Sequence, residues 1–562
     1  MDATSLGLGI GIKPTLTALL LTVAAAVTPL RAAQVIEADV CIYGGTCAGI
    51  TAAVQTARMG KTAVLAEFGR HVGGLSAGGL GATDIGNKAA IGGISREFYG
   101  RIARHYAQDA AWKFESRKDY FTQRSSGQAN ASDLNSTSAT MWTFEPHVAE
   151  AIFLQLLREA KVPVQLQQRL QAVKKVGGRI IEIRMENGNI FRARMFIDAS
   201  YEGDLMAKAR ISYHVGREAN SKYGETLNGV CAQTPSHQFI VAVDPYVKPG
   251  DPSSGLIPFI QPGDGGKPGE GDHCEQAYNF RLCFTTNAAN RLPLAPLAGY
   301  SPAKYELLAR YLEALVASGH HPQLKEFWNP VWMPNGKTDI NNNGAFSTDF
   351  IGANYEYAEA SYSTRENIWK AHEEYIRGFV IFFATSPRVP EQLRAEMKLW
   401  GPARDEFENT AGWPNQLYIR EARRMISDYV MTEHNCRGQL KAEDSVGLGA
   451  YNMDSHNCQR LVKNGRVENE GDVQAPVKPY PISYRSIITK AAECENLFVP
   501  VCLAASHIAY GSIRMEPVFM ILGQSAATAA VLANQARVPV QKVDYPKLRE
   551  KLARANQRLE WK

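Results

Sequence analysis

Apolar residues run without a break through Val40, Cys41, Ile42 and Tyr43, and again through Ala63, Val64, Leu65 and Ala66. Short apolar runs bounded by turn residues predict strands buried on both faces. Between them lie Gly44-Gly45-Thr46-Cys47-Ala48-Gly49 and an apolar repeat of helical period that ends near Met59. Glu67 stands at the tip of the second run. Strand, glycine turn, helix, second strand and terminal acid form a unit suited to a dinucleotide. The turn glycines let the backbone approach a pyrophosphate, the helix N-terminus offers unpaired N–H groups, and the acid accepts hydrogen bonds from a ribose diol. The spacing departs from Gly-x-Gly-x-x-Gly, because Thr46 holds the second glycine position and the extra glycine falls at Gly45. The closest phosphate approach is therefore expected to shift by one residue.

Further along, six glycines between Gly69 and Gly81 are interleaved with Val72, Leu75 and Leu80. Linkers are seldom apolar, so this stretch predicts a loop wrapped around a ligand. Helices are predicted over 95–107, with Ser95 as N-cap, and over 145–161. A short strand at 162–166 precedes a three-strand meander at 170–176, 179–185 and 190–194, with turns at Gly177-Gly178 and Asn187-Gly188. A separate buried strand is expected at 195–200, followed by a helix after Gly203. From 215 to 476 the periodicity weakens. Helices are expected there at 302–318, 364–383, 390–399 and, heavily charged, at 416–429. A strand at 496–500 then leads to a loop carrying Ser506, His507, Tyr510 and Arg514, and to a small-residue helix at 516–535.

This order implies an α/β fold: a Rossmann-like dinucleotide-binding domain with a β-meander, and a second, substrate-facing domain of mixed α+β elements. The expected boundaries are 34–214, 215–476 and 477–540, with a C-terminal helix in 541–562.

At 562 residues, 45% hydrophobic and 21% charged, the chain has ordinary globular composition with ample core. A net charge of +5 and the lack of a basic stripe argue against a nucleic-acid partner. Lys13, an apolar run over 16–27 and then Pro29, Arg31, Ala32 and Ala33 read as a signal peptide over 1–33. The run is shorter than the ~20 residues a spanning helix needs. A periplasmic or secreted protein is expected, with no membrane span after cleavage; an uncleaved anchor is the alternative. Export permits disulfides among the nine cysteines. Cys41 and Cys47 are expected free and packed, while Cys274 with Cys283, Cys436 with Cys458 and Cys494 with Cys502 are candidate pairs. Sequons occur at Asn130-Ala131-Ser132 and Asn135-Ser136-Thr137. No zinc-like Cys/His spacing occurs, so no metal site is expected.

Several segments together resemble the secreted FAD-dependent oxidoreductases, distant relatives of the fumarate reductase and succinate dehydrogenase flavoproteins. They are Gly44-Gly45-Thr46-Cys47-Ala48-Gly49-Ile50, Arg70-His71-Val72-Gly73-Gly74, Phe144-Glu145-Pro146-His147-Val148, Ile197-Asp198-Ala199-Ser200-Tyr201-Glu202-Gly203-Asp204 and Ile513-Arg514-Met515-Glu516-Pro517. Residues 335–341 and 418–429 also look like the family. The resemblance implies a discontinuous Rossmann-like FAD-binding domain, with FAD bound across two segments and the mixed α+β substrate domain inserted between them. Its contacts would come from Gly44, Gly45, Thr46, Cys47, Ala48, Gly49 and Glu67, then Gly73, Gly74, Leu75, Ala199, Asp204 and Glu516.

The catalytic candidates are His507, for proton handling, and Arg514, for electrostatic stabilisation beside the flavin. A structural histidine and a salt bridge to Glu516 are the plainer alternatives. His71 is a candidate for a ribityl or phosphate contact, or for a covalent flavin link as in the related enzymes. Asp84 and Lys88 are weaker candidates. Lys337, Asp339 and Asn341 form a polar cluster that would bind substrate or stabilise an Asx turn, and Arg485 is placed within reach of the site. His456 and Asp454 read as surface residues. Gly74-Leu75-Ser76-Ala77-Gly78 matches Gly-x-Ser-x-Gly by letters, but no strand precedes the serine as a nucleophile elbow requires.

The expected activity is a two-electron oxidation of a small polar substrate, a carbohydrate or polyol. Electrons would pass to a non-nicotinamide acceptor such as a quinone, a protein or oxygen. Reduction of an activated C=C bond and non-catalytic flavin binding are the alternatives.

Overall fold

A computed structural model describes residues 33–125, 134 and 136–562. The expected signal peptide lies outside the described residues except for Ala33, as do Asn130 and Asn135 of the two sequons.

The molecule is built around a seven-stranded sheet. Six of its strands are β1 (Val35–Tyr43), β2 (Ala63–Ala66), β3 (Val164–Gln165), β4 (Leu170–Val176), β5 (Arg179–Met185) and β6 (Ile190–Asp198), in the order β3-β2-β1-β6-β5-β4. The seventh, Leu497–Phe498, pairs in parallel with β6. β1 pairs in parallel with β2, Ile42 opposite Leu65, and with β6, Ile42 opposite Ile197. These central strands are apolar at consecutive positions because both faces are covered: Val40, Ile42 and Leu65 pack with residues of two helices, among them Ala52 and Ala526, while Cys41, Tyr43 and Val64 pack with Ile180, Ile183 and Leu205 on the other side. The meander strands β4 and β5 pair antiparallel and alternate in burial.

The strands expected at 190–194 and 195–200 are one strand. Its first half alternates polar and apolar residues beside β5, and its second half is continuously buried. The change of period marks a passage from the exposed meander into the core, not a break in the strand.

α1 (Cys47–Arg58) packs against the Glu516–Ala536 helix. The crossing is close. A Cβ on Gly523 would lie 2.2 Å from the Ala48 carbonyl oxygen, and Thr51 Oγ1 donates to the Met520 carbonyl at 2.8 Å. Among the described residues the Glu516–Ala536 helix is the one long and apolar enough to cross a bilayer, but 94% of that stretch is buried, as in a core helix. Ser95 is not an N-cap. It lies inside the Gly93–Tyr106 helix, and its hydroxyl donates to the Pro517 carbonyl.

The middle of the chain contributes a four-stranded antiparallel sheet, in the order Gly401–Pro402, Leu282–Thr285, Lys337–Asn342, Trp328–Met333, and the long Tyr362–Thr385 helix. Strand Ser445–Gly449 pairs with Tyr480–Ser483, and Ser525 Oγ donates to the Val446 carbonyl. Residues 445–449 thus already lie against the C-terminal helix.

The helix expected over 416–429 does not form. Only Arg424–Met425 is regular there, as a strand paired with Tyr213–His214. Arg420, Glu421 and Arg424 are buried and face partners on separate segments, Asp349, His507 and Glu218. Long-range ion pairs override a charge pattern that read as a solvated helix.

All nine cysteines are free thiols, so none of the three candidate disulfides is present. Cys283, for example, is enclosed with Met333, Ala403 and Phe407.

Candidate active site

The turn after β1 is a tight cradle. Gly44 has φ of 101°, and a Cβ there would lie 2.5 Å from Ser200 N. A Cβ on Gly49 would meet the Gly44 carbonyl oxygen at 1.9 Å, so both positions require glycine. Thr46 has a use that glycine could not supply. Its hydroxyl caps α1, accepting from Gly49 N, and donates to the Ala199 carbonyl at 2.7 Å. Cys47 faces the C-terminal helix, its thiol 3.4 Å from the Glu516 carbonyl.

Glu67 is buried at the end of β2 and accepts hydrogen bonds from Gly45 N and Gly69 N. Burial pushes its carboxyl up to about 7, against the pull of those two N–H groups. The glycine-rich loop folds back over the turn, with Gly73 N donating to the Gly45 carbonyl at 2.7 Å. Leu75 N donates to the Tyr201 hydroxyl, which itself donates to Glu516 Oε1, while Ser76 Oγ donates to Glu516 Oε2. These residues fit FAD: close-approach glycines at a capped helix N-terminus, and a buried acid aligned with the turn amides.

Glu67→Gln is therefore expected to weaken FAD retention by about 1.5–3 kcal/mol, the worth of hydrogen bonds to a charged acceptor. Because burial raises the Glu67 pKa, its ionisation costs fold stability as pH rises from about 4.5 through about 7. The apoprotein of the variant should thus show no stability deficit at pH 8. Equilibrium dialysis of FAD and thermal melts of apoprotein check the two halves.

The same loop continues onto the middle of the chain. A Cβ on Gly79 would lie 2.2 Å from the Arg281 carbonyl oxygen, and one on Gly78 2.2 Å from Gln416 Cβ. At this seam Arg281, Arg420 and Arg514 surround the Tyr418 ring at 5.9, 4.6 and 5.7 Å from its centre. Each guanidinium has its own carboxylate. Arg281 binds Asp339 through two contacts of 2.7 Å, Arg420 lies 3.0 Å from Asp349, and Arg514 2.9 Å from Asp454. Arg514 also donates to the Tyr418 hydroxyl at 2.8 Å.

His456 joins two of these pairs, with Nδ1 2.8 Å from Asp349 and Nε2 3.6 Å from Asp454. Burial raises the Asp454 carboxyl, but His456 and Arg514 outweigh it and hold it well below the usual range. Around this group Arg420 Nε, Arg514 Nε and Gln276 Nε2 are buried donors without hydrogen-bond acceptors among the described residues, Asn279 Oδ1 is a buried acceptor without a donor, and Arg281 Nη1 lies 3.6 Å from Asp84.

His507 stands one side chain behind. Its Nδ1 lies 2.9 Å from both oxygens of Glu421, and its Nε2 lies 3.1 Å from Ser455 Oγ. Burial pushes Glu421 up, yet His507 and Arg424 bring it down to about 2. Ser455 sits between Asp454 and His456, so His507 reaches the arginine group through one hydroxyl.

Several of the expected contact residues have partners of their own in the fold. Asp204 accepts from Arg365 through both oxygens and from Arg423, so its charge is already balanced within the fold. Lys337 Nζ is buried among Glu145, Asp405 and Glu406 at 2.7, 2.8 and 2.7 Å, so it braces the fold and does not face substrate. Glu145, His147 and Glu406 have metal-like spacing, but the Lys337 ammonium already sits against both carboxylates. Asp339 holds Arg281 and accepts from Ala82 N, a positioning role. Arg485 is half exposed, paired with Asp444 and stacked over Tyr429.

His71 is held on a solvent-facing rim by Glu150 and Asn409, with both ring nitrogens engaged. His456 and Asp454, read as surface residues, are only 7% and 6% exposed. Tyr418, Arg420, Arg281 and Gln276 were not singled out from the sequence as site residues. The one available signal was alternation at Tyr418, Arg420, Ala422 and Arg424, a strand-like period inside a charged stretch.

A family model described as FAD dependent oxidoreductase matches residues 39–552. No curated protein matches the chain. Among solved structures, an L-amino acid deaminase from Proteus myxofaciens in complex with anthranilate is similar over 31% of this chain and 48% of its own, at 17% identity and a TM-score of 0.21. A 3-ketosteroid-delta4-(5alpha)-dehydrogenase from Rhodococcus jostii RHA1 is similar over 34% and 50%, at 17% identity and 0.19. An L-proline dehydrogenase from P. horikoshii is similar over 33% and 59%, at 14% identity and 0.23. The chain spans about half the length of these structures.

Proposed function

Because the chain belongs to the FAD dependent oxidoreductase family, we propose that it is an exported enzyme that oxidises a small, neutral, hydroxyl-rich molecule by two electrons at the Tyr418 seam. The observation that carries this reading is charge balance. Every arginine around Tyr418 is already paired with a carboxylate, while unpartnered buried donors and an acceptor remain. A neutral polyol or carbohydrate, which both donates and accepts, suits such a set. A dicarboxylate substrate, as C=C reduction of the fumarate type would need, meets Asp339, Asp349 and Asp454 beside those arginines and is repelled.

FAD, when bound, supplies the two-electron acceptor, and the Gly44–Gly49 turn, Glu67 and the loop through Ser76 are the residues that would hold it. Loss of a hydride from a carbinol carbon also requires loss of the hydroxyl proton. His507 takes that proton at Nε2 through Ser455 Oγ, and Glu421 stabilises the imidazolium. Arg514 and Tyr418 orient the substrate oxygen.

Export removes the protein from the nicotinamide pool of the cytosol, so a quinone, a protein or oxygen is the proposed electron acceptor. N-terminal sequencing of secreted protein should begin near residue 34; an intact Met1 on cytosolic protein rejects export.

The reaction is tested by anaerobic flavin bleaching with sugars, polyols, hydroxy acids and amines. Sugars or polyols are expected to bleach the flavin. Bleaching by none of the panel, with reoxidation of chemically reduced enzyme by unsaturated acids, would replace oxidation by C=C reduction. No response to either set would leave a flavin-binding protein without this activity.

A further inference from the structure

A groove of about 860 Å³ opens between the C-terminal end of α1, the start of the Gly93–Tyr106 helix and the chain following the Tyr545–Arg554 helix. The proposed reaction uses none of it. Its rim is cationic. Arg96, Arg104, Lys551 and Arg558 line it, and none of them makes an ion pair among the described residues. The one acid in the lining, Glu97, is already bound by both Arg58 and Arg101.

The floor is a network of amides with a single possible orientation. Gln524 Oε1 accepts from Ile94 N at 2.8 Å and from Gln557 Nε2 at 2.9 Å. Gln557 Nε2 also donates to the Ile521 carbonyl, and Gln524 Nε2 donates to Gln55 Oε1. A backbone N–H can only donate and a carbonyl can only accept, so neither Gln524 nor Gln557 can be turned round. Gln557 is 6% exposed, and its Oε1 is left buried without a donor. A native buried acceptor is normally satisfied.

Among the described residues, the groove thus offers cations without ion-pair partners at its mouth and an unsatisfied acceptor on its floor. Among the described residues no aromatic side chain lines it, so none of them would stack on a nucleobase.

We propose that this groove is a second ligand site, separate from the reaction site, for an anionic hydroxylated molecule. A sugar acid or a sugar phosphate would place its anion among Arg96, Arg104 and Arg558 and donate a hydroxyl hydrogen bond to Gln557 Oε1. Arginine's forked donors suit either anion.

Calorimetric titration of the FAD-loaded, full-length mature protein with gluconate and with glucose 6-phosphate tests the site, with glucose and inorganic phosphate as controls. Saturable binding of one or both charged sugars is expected, with none by glucose, and the two arms tell carboxylate from phosphate. The double variant Arg96→Ala, Arg558→Ala should lose at least tenfold in affinity, the scale of one hydrogen bond to a charged group. Flavin reduction by a substrate of the reaction site should be unchanged in that variant, which separates this site from the first. The proposal is overturned if neither charged sugar binds, if the double variant binds as the parent does, or if inorganic phosphate binds as tightly as glucose 6-phosphate.

Discussion

His507→Ala is expected to remain yellow and folded and to lose flavin reduction by substrate by about 10²–10⁴-fold, the usual worth of a general base. His507 lies behind the Tyr418 seam and acts on it through Ser455 Oγ. A purely structural histidine at this place would also hold Ser455, so rate alone does not separate the two roles. The pH profile does. A proton acceptor leaves a limb in the pH dependence of flavin reduction, and its removal flattens that limb, whereas loss of a structural contact lowers the whole profile.

Glu421→Gln offers an independent reading. The carboxylate, brought down to about 2 by His507 and Arg424, is the charge that would stabilise the imidazolium. Its amide analogue keeps the shape but removes the charge. It should lower the rate in the same direction as His507→Ala, and the double variant should be little worse than either single one, since residues acting as a unit are not additive. Full-rate flavin reduction in His507→Ala would remove His507 from the mechanism.

Lys337→Met is expected to destabilise the fold by about 3–5 kcal/mol, the cost of breaking a buried ion pair by removing one partner. The ammonium is fully enclosed and within 2.8 Å of three carboxylates on two separate chain segments. Removing it leaves Glu145, Asp405 and Glu406 facing one another. The pH dependence has a definite sign. In the parent, burial raises Asp405 and Glu406, but Lys337 outweighs it and holds both below their ordinary values. Their contribution is therefore present above the unfolded carboxylate range and is lost as pH falls through the folded pKa. In the variant the carboxylates repel, their folded pKa values rise, and protonation relieves the fold. The deficit measured by denaturant melts should thus shrink between pH 7 and pH 5. A deficit that is constant over that window would show that packing of the lysine stem, not its charge, is what matters.

The cofactor half of the molecule was legible because its physics is local. A buried strand, a glycine turn, a helix and Glu67 fall within thirty residues of one another, and each is dictated by its immediate neighbours. The meander was legible for the same reason, since Gly177-Gly178 and Asn187-Gly188 mark its turns. The reaction end was not. Tyr418, Arg281, Arg514 and His456 come from four distant segments, and nothing in the residues beside them says that they meet.

Charge misled in both directions. Arg420, Glu421 and Arg424 looked like a solvated helix because their partners are dozens to hundreds of residues away. Lys337 and Asp339 looked available to a ligand because Glu145, Glu406 and Arg281 could not be placed beside them. Burial of a charge is a property of the assembled fold, and a sequence shows the charge but not what surrounds it.

The sheet also fixes when the cofactor site can exist. β1 and β6 come from the first two hundred residues, but the strand beside β6 and the helix closed over α1 come from residues 497–536. A nascent chain lacking that last stretch leaves the turn at Gly44–Gly49 open to solvent along the side where Gly523 would seat. Cofactor loading is therefore expected late in biogenesis, after residues 497–536 have been synthesised. For a chain exported unfolded, FAD would have to be acquired on the far side of the membrane. If the chain is exported as proposed, one loaded in the cytosol must instead cross already folded, and the place of flavin capture would then report on the export route.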